Sequence, residues 1–429
     1  MKLNYKRTFF VGLAFLSICA FWQLYDSIIP LILSNTFQLG DTMTGSIMAL
    51  DNILALFLIP LFGTYSDKVR TRLGKRTPFI LIGTFFAVIF MMLIPYADRT
   101  HNLILFITSL GMVLLAMGSY RAPAVALMPD VTPKPLRSKA NSIINLMGAI
   151  GAIITLILIS LLVKKEELPD YTLIFVLVAF LMVFSVIVLL KTIHENTIAK
   201  EFELELKDTV TTQESVNGTD KENTPLPKEV KTSLVFLLAS IFLWFTAYNA
   251  VTTAYSRYAV KVWGLQGGSF ANALLVATGA AIISYIPIGI ISSIIGRKKT
   301  ILIGILMMSV SYFFGLLIKD YSPLIFVVFA FTGIGWSAIS VNSYPMVVEM
   351  GRISDTGKYT SLYYLFSMLA QTITPTLSGF LLENVSYQTL FPYSLTFSLL
   401  SFCTMLFVKH GDSKPARKGK VLEHFDTND

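Results

Sequence analysis

The sequence predicts an all-α membrane protein of twelve transmembrane helices, arranged as two pseudo-symmetric six-helix bundles with both ends in the cytoplasm. Three observations carry that expectation. The 429 residues are 54% hydrophobic and only 14% charged, with a mean hydropathy of +0.67, which is more apolar surface than a water-soluble core can bury. Apolar runs recur from Thr8 to Val408, each matching the roughly 20 residues that cross a bilayer. The cations fall between the runs with a strong bias toward alternate gaps.

The runs lie at 8–34, 43–62, 78–96, 103–128, 138–163 and 172–192, and again at 232–256, 267–292, 299–318, 322–346, 357–383 and 388–408. The first is too long for a cleavable signal peptide, carries Asp26 and lacks a small-residue cleavage site, so it reads as the first span. Residues 193–231, "IHENTIAKEFELELKDTVTTQESVNGTDKENTPLPKEVK", break the pattern with high polarity and mixed charge. They read as a solvated cytoplasmic linker with a short helix around "AKEFELELK". The expected organisation is a bundle at 1–192, the linker at 193–231, a second bundle at 232–408 and a cytoplasmic tail at 409–429.

With the N-terminus placed in the cytoplasm, 27 Lys and Arg fall in inward-facing segments and six fall outside: Arg99, Lys164, Lys165, Arg257, Lys261 and Lys319. One arginine, Arg121, falls within a span. That asymmetry is the positive-inside signature, so the net charge of +8 reflects topology. The cations are spread over seven segments and make no continuous patch, which argues against a nucleic-acid partner. Cys19 and Cys403 both lie in apolar runs and read as small apolar fillers. The chain contains no GxxxxGK[ST], CxxC or HExxH, so ATP hydrolysis and zinc chemistry have no residues to carry them. An enzyme is not expected; the partners expected are a small molecule and the bilayer, with the chain a monomer and neither metal nor organic cofactor.

The halves echo each other. "PLFGTYSD", ending at Asp67, is followed by "GKR", and "PIGIISS", ending at Ser293, by "GRKK". "ALMPD", ending at Asp130, pairs with "PMVVE", ending at Glu349. Duplicated six-helix halves with a site between them at the bilayer midplane are the architecture of an alternating-access transporter.

The stretch "GTYSDKVRTRLGKRTPFILIGT", residues 63–84, holds five cations and one aspartate between two greasy runs. Its glycine can let helices approach, Asp67 can cap a helix or pair with an arginine, and the cations keep the loop in the cytoplasm. Topology alone needs neither Asp67 nor both glycines, so the stretch reads as a conformational latch. Gly63, Asp67, Arg72, Gly74, Lys75 and Arg76, with Asp130 and Glu349, are the expected gating residues. The spacing of Gly63, Ser66, Asp67, Gly74, Lys75 and Arg76 resembles the helix 2–3 loop of the major facilitator superfamily, with four extra residues before the second glycine. The whole stretch is similar to the sucrose:proton symporter branch. "YRAPAVALMPDVTP" and "RSKAN" resemble the helix 4–5 region of bacterial relatives of that branch and of the glycoside:cation symporters.

Charge inside a span costs roughly 2.5–3.5 kcal/mol on insertion scales, so each such residue needs a reason. Asp26 follows Trp22 and Gln23 at helical spacing. An indole face beside an acceptor carboxylate suits a sugar, whose C–H surface stacks while its hydroxyls donate. Asp51, beside Asn52, falls near the middle of the second span, where a carboxylate kept from water can exchange a proton in the working pH range. Arg121 cannot deprotonate and at depth needs a carboxylate partner. Asp26, Asp51 and Arg121 are the expected proton-coupling set, with structural pairing as the alternative for each. In the second half Tyr248, Asn249, Trp336, Asn342 and Gln371 are expected, with Trp22, Gln23, Asp26 and Asn52, to line the substrate site; plain helix-to-helix bonding is the competing account. The spans of that half carry no charge at depth.

Sodium-using members of the glycoside:cation group place two helix-2 aspartates four apart. Aligning Pro60 and Gly63 puts those positions on Ala55 and Ile59, so the resemblance implies protons and disfavours sodium. The function expected is secondary active, proton-coupled symport of an oligosaccharide or glycoside across the cell membrane. The alternative is proton-coupled efflux of amphipathic compounds; "NLMGAIGAIITLILIS" in the fifth span lacks the glycine-proline element typical of drug antiporters.

Overall fold

The computed structural model describes residues 3–132, 137–166, 168–198, 227–350 and 356–412, with the backbone alone at 137–139 and 356–358. Twelve helices among these residues are long and apolar enough to cross a membrane. They are α1 (Tyr5–Thr36), α2 (Asp41–Lys68), α3 (Thr77–Arg99), α4 (Leu103–Asp130), α5 (Ala140–Leu162), α6 (Thr172–Thr192), α7 (Lys228–Lys261), α8 (Gly267–Ile295), α9 (Arg297–Leu317), α10 (Leu324–Glu349), α11 (Tyr359–Asn384) and α12 (Tyr387–Leu406). An even number of crossings returns the chain to the side on which it began, here called the terminal side; the opposite face is the far side.

Local chemistry sets the ends. The Asn4 side chain accepts from the Arg7 N–H and the Asn102 side chain from the Leu105 N–H, both at 3.0 Å, starting α1 and α4. Pro78 sits in the first turn of α3, where its missing N–H costs nothing. Several helices run past the apolar runs into polar residues. Gly63, Ser66 and Asp67 therefore lie in the last turns of α2, and the loop proper begins after Lys68. In α7 the helix continues through Arg257 to Lys261, so two cations expected in an outer loop are helical. Arg257 is fully buried near the far end of α7, beyond the apolar run.

The linker is corrected at both edges. Residues 195–198 are helical, and Ile193, Glu195 and Ile198 are buried against the bundle, while 228–231 already belong to α7. The helix expected around "AKEFELELK" and the tail beyond Asp412 lie outside the described residues, as do the side chains of Lys134, Arg137, Lys139, Arg352 and Lys358.

Within the first six helices α1 packs on α5 and α6, and α4 on α2 and α3; in the second, α7 packs on α11 and α12, and α10 on α8 and α9. The two sets meet mainly where α2 crosses α11 and α5 runs beside α8. A Cβ at Gly45 would stand 1.9 Å from the Pro375 carbonyl oxygen, and one at Gly379 2.2 Å from that of Asp41. Only glycine permits this backbone approach.

Candidate functional site

Between the two sets lies a cavity of about 390 Å³. Its polar wall comes from Gln23 and Asp26 of α1, Asn145 of α5, Tyr248, Asn249 and Thr252 of α7, and Gln371 of α11. The lining from α8 and α10 mixes the apolar Leu274, Ala277, Ala281, Ile282 and Phe329 with Thr278, Tyr285 and Thr332. Trp336 and Tyr248 form a parallel pair, rings 3.8 Å apart and 7° from coplanar, with Phe245 edge-on to Trp336 at 5.2 Å. That fixes a rigid aromatic surface in the cavity wall.

A smaller chamber of about 130 Å³ adjoins it, lined by Trp22, Asp26, Asp51, Asn52 and Arg121. Asp26, Asn249, Thr252 and Gln371 line both spaces, so the two share a boundary made of one carboxylate and three neutral polar groups. Asn52 donates to Asp51 Oδ1 at 2.6 Å, and Gln23 donates to Ser27 at 3.0 Å. The Arg121 guanidinium lies 5.6 Å from the centre of the Trp22 ring, a cation–π distance. Trp22 thus presents a face to arginine in the small chamber, while the aromatic pair of the large cavity comes from α7 and α10. The Trp22 indole N–H is buried with no acceptor among the described residues.

Of the residues expected at the site, Gln23, Asp26, Tyr248, Asn249, Trp336 and Gln371 meet in the large cavity, and Trp22, Asp51, Asn52 and Arg121 in the small one. Asn342 lies elsewhere: its amide oxygen accepts from Ser292, a bond between α8 and α10, and its nitrogen donates to the Ala338 carbonyl within α10 at 2.9 Å. Asn145, Thr252, Thr278 and Tyr285 also line the large cavity, and none of them was expected there. Each is a polar residue in an apolar run, a signal present in the letters, but no spacing rule singled these out from other threonines and tyrosines.

At the terminal side the charged stretch closes on itself. Arg76 is buried; its Nε donates to Asp130 at 2.8 Å and its Nη1 to the Gly63 carbonyl at 3.2 Å, with Ser66 and Asp67 completing the fork. Lys75 pairs with Asp130 at 3.2 Å. One planar guanidinium therefore ties α2, α3 and α4 together, a task that needs its five-donor geometry. Arg72 is exposed and contributes its backbone carbonyl, which accepts from Asn196 at 3.0 Å. In the second half Arg297 donates to Glu349 at 2.7 Å, joining α9 to α10 as Arg76 joins α3 to α4. The echo seen in the letters is an echo of contacts.

Glu195 was not anticipated. Only 3% exposed, its carboxylate accepts from the backbone N–H groups of Lys75, Arg76 and Thr77 at 3.0–3.1 Å and from the Thr77 hydroxyl at 2.9 Å. Gly74 makes room for it at φ +115°, where a Cβ would lie 2.1 Å from Glu195 Oε2. Asp412 does the same for α9, accepting from the Lys298 N–H at 2.7 Å beside Gly296 at φ +94°. An acid at a helix N-terminus satisfies orphan donors and the positive end of the dipole.

Twelve apolar helices around a central polar cavity, with charge clusters at the ends of the helices, define a multi-pass membrane transporter. The chain belongs to the Major Facilitator Superfamily, whose family model matches residues 11–285 and 268–425. It is 28% identical over 153 residues to the sucrose transport protein SUC3 of Arabidopsis thaliana, a match spanning 31% of this chain and a quarter of that protein's length. It is 24% identical over 363 residues to the glucuronide carrier protein homolog of Escherichia coli, covering 80% of this chain and 72% of that one. Chloramphenicol resistance protein CraA of Acinetobacter baumannii is 29% identical over 180 residues, 40% of this chain and 42% of its own. Among solved structures, the inward-open xylose transporter XylE of E. coli superposes with a TM-score of 0.69 over 99% of both chains at 13% identity. A POT family transporter in complex with 5-aminolevulinic acid gives 0.70 at 12% identity, over 95% of this chain and 96% of that one. At these identities the two structures support the fold alone.

Proposed function

We propose that the protein is a proton-coupled symporter of a sugar, an oligosaccharide or a glycoside, that works by alternating access with both termini in the cytoplasm. The observation that carries this reading is the pair of adjoining chambers with Asp26 in the wall of both. The larger holds the solute: Asp26, Asn145, Asn249 and Gln371 offer the donors and acceptors that hydroxyl groups need, and the Trp336–Tyr248 pair offers a flat surface for sugar C–H groups. The smaller holds the coupling charges. An arginine side chain is a permanent charge, so the charge of that chamber is set by how many protons Asp26 and Asp51 carry. Proton loading and solute binding meet at Asp26, and both are then carried through one rocking motion. The Arg76–Asp67–Asp130 and Arg297–Glu349 clusters hold the helix ends against which the two halves rock. The sucrose and glucuronide carriers among the relatives, by their names, support the sugar assignment.

The test is uptake of radiolabelled sucrose, maltose, melibiose, glucose and glucosamine derivatives into vesicles with an imposed pH gradient. Uphill accumulation is expected for wild type and is expected to vanish in Asp26→Asn and Asp51→Asn. Accumulation by both variants at the wild-type level would overturn the coupling assignment.

A second reading is proton-driven efflux of amphipathic compounds. The apolar residues that α8 gives the cavity, Leu274, Ala277, Ala281 and Ile282, favour it, as does the similarity to CraA. Proton movement separates the two, because added solute makes the outside more alkaline in symport and drives protons the other way in exchange.

A further inference from the structure

The charges used so far line the chambers or the terminal side. A second buried cluster sits at the far side, apart from both. Asp41 opens α2; its Oδ1 accepts from Arg257 Nη1 of α7 at 2.6 Å, with side chains 5% and 1% exposed. Its Oδ2 accepts from the Tyr387 hydroxyl and lies 3.8 Å from Lys261 Nζ, which in turn sits 4.8 Å from the centre of the Tyr387 ring. One residue on, the Thr42 N–H donates to Glu383 at 2.8 Å. Helices α7, α11 and α12 of the second half thus grip the first turn of one helix of the first half.

On the other flank of the same face, Ser160 donates to Asn272 at 2.6 Å and the Gly268 N–H to the Val163 carbonyl at 3.3 Å. These polar contacts between the halves share the far side with the glycine-lined crossing of α2 and α11. By contrast, the Arg76 and Arg297 clusters join helices within one half.

A buried ion pair is a poor general stabiliser, because desolvation offsets most of the attraction, yet separating it without water leaves two uncompensated charges. It therefore behaves as a two-position element. Pressed together, the charges satisfy each other; parted far enough to admit water, they are hydrated; between those positions they are unfavourable. Arg257 Nε is buried without an acceptor among the described residues, so the guanidinium is held but unsaturated, and entering water supplies the missing partner.

We propose that Asp41–Arg257, supported by Tyr387 and Lys261, is the latch that keeps the far mouth closed, and that its separation is the step that turns the cavity toward that side. This rests on the alternating-access reading but not on the identity of the solute.

The test follows accessibility. In a Cys19→Ala/Cys403→Ala background, Thr278→Cys places a thiol in the cavity wall, and its labelling by a membrane-impermeant maleimide is timed in right-side-out and inside-out vesicles. Wild type is expected to label from the terminal side. Asp41→Asn and Arg257→Gln are each expected to raise far-side labelling by about tenfold or more, and the double variant to add little to either. Tyr387→Phe, which keeps the ion pair, is expected to give a smaller rise and serves if the charge variants do not fold. Far-side labelling unchanged in every variant whose thermal melt matches wild type would overturn the latch. Because the readout uses no solute, such a failure leaves the sugar assignment standing, and a negative uptake panel leaves the latch standing.

Discussion

Single side chains in this chain do work that their neighbours in sequence cannot take over. Glu195 receives three backbone N–H groups and a hydroxyl, and a charged acceptor in such a cradle is worth more than a neutral one. Glu195→Gln keeps the size and loses the charge, so its cost is expected at about 1–3 kcal/mol. In detergent the melting temperature should fall, and Gly74→Ala should lower it too by forcing a Cβ onto the carboxylate. A melt indistinguishable from wild type in both would mean the cradle carries no strain or charge dependence. This contact was illegible in the letters. Glu195 stands in a run of polar residues that reads as solvated, and its partner loop lies 118–120 residues away. The Asp41–Arg257 pair, 216 residues apart, was hidden for a related reason. Each residue sits at the polar end of an apolar run, where a charge ordinarily meets water or headgroups and asks for no explanation. Asp26, Asp51 and Arg121 were legible because charge at the depth of a span always does.

At the scale of helices, the sequence located every span and misjudged the ends of some. Hydropathy falls as soon as a helix reaches the interface, whereas the backbone goes on hydrogen bonding; α2 therefore runs on to Lys68 and α7 to Lys261. Helical spacing put Trp22, Gln23 and Asp26 together, but depth and rotation divided them between two chambers. The flat aromatic surface instead arises from Tyr248 and Trp336, on helices far apart in the chain, and no periodicity could pair them. If that pair receives the solute, Trp336→Ala should raise the half-saturating concentration for uptake by about two- to tenfold while leaving the maximal rate close to wild type. An unchanged half-saturation with normal folding would remove the pair from the site.

At the scale of the molecule, the duplication is written more clearly in contacts than in letters. Arg76–Asp130 and Arg297–Glu349 hold matching helix ends, and Glu195 and Asp412 cap matching third helices beside left-handed glycines. The excess of cations on one set of loops predicts which face lies inward. A fluorescent protein fused after Asp429 should fold and fluoresce, and alkaline phosphatase fused after Lys319 should be active. The reverse pair of results would invert the orientation. Both capping acids stand where the chain leaves its bundle, one on the way into the central connector and one at the start of the tail. The segments beyond them are thereby stitched to the same loops that the Arg76 and Arg297 clusters brace. On the hinge role proposed for those clusters, a binding protein that pulled on either segment would hold a rein on transport without ever approaching the solute.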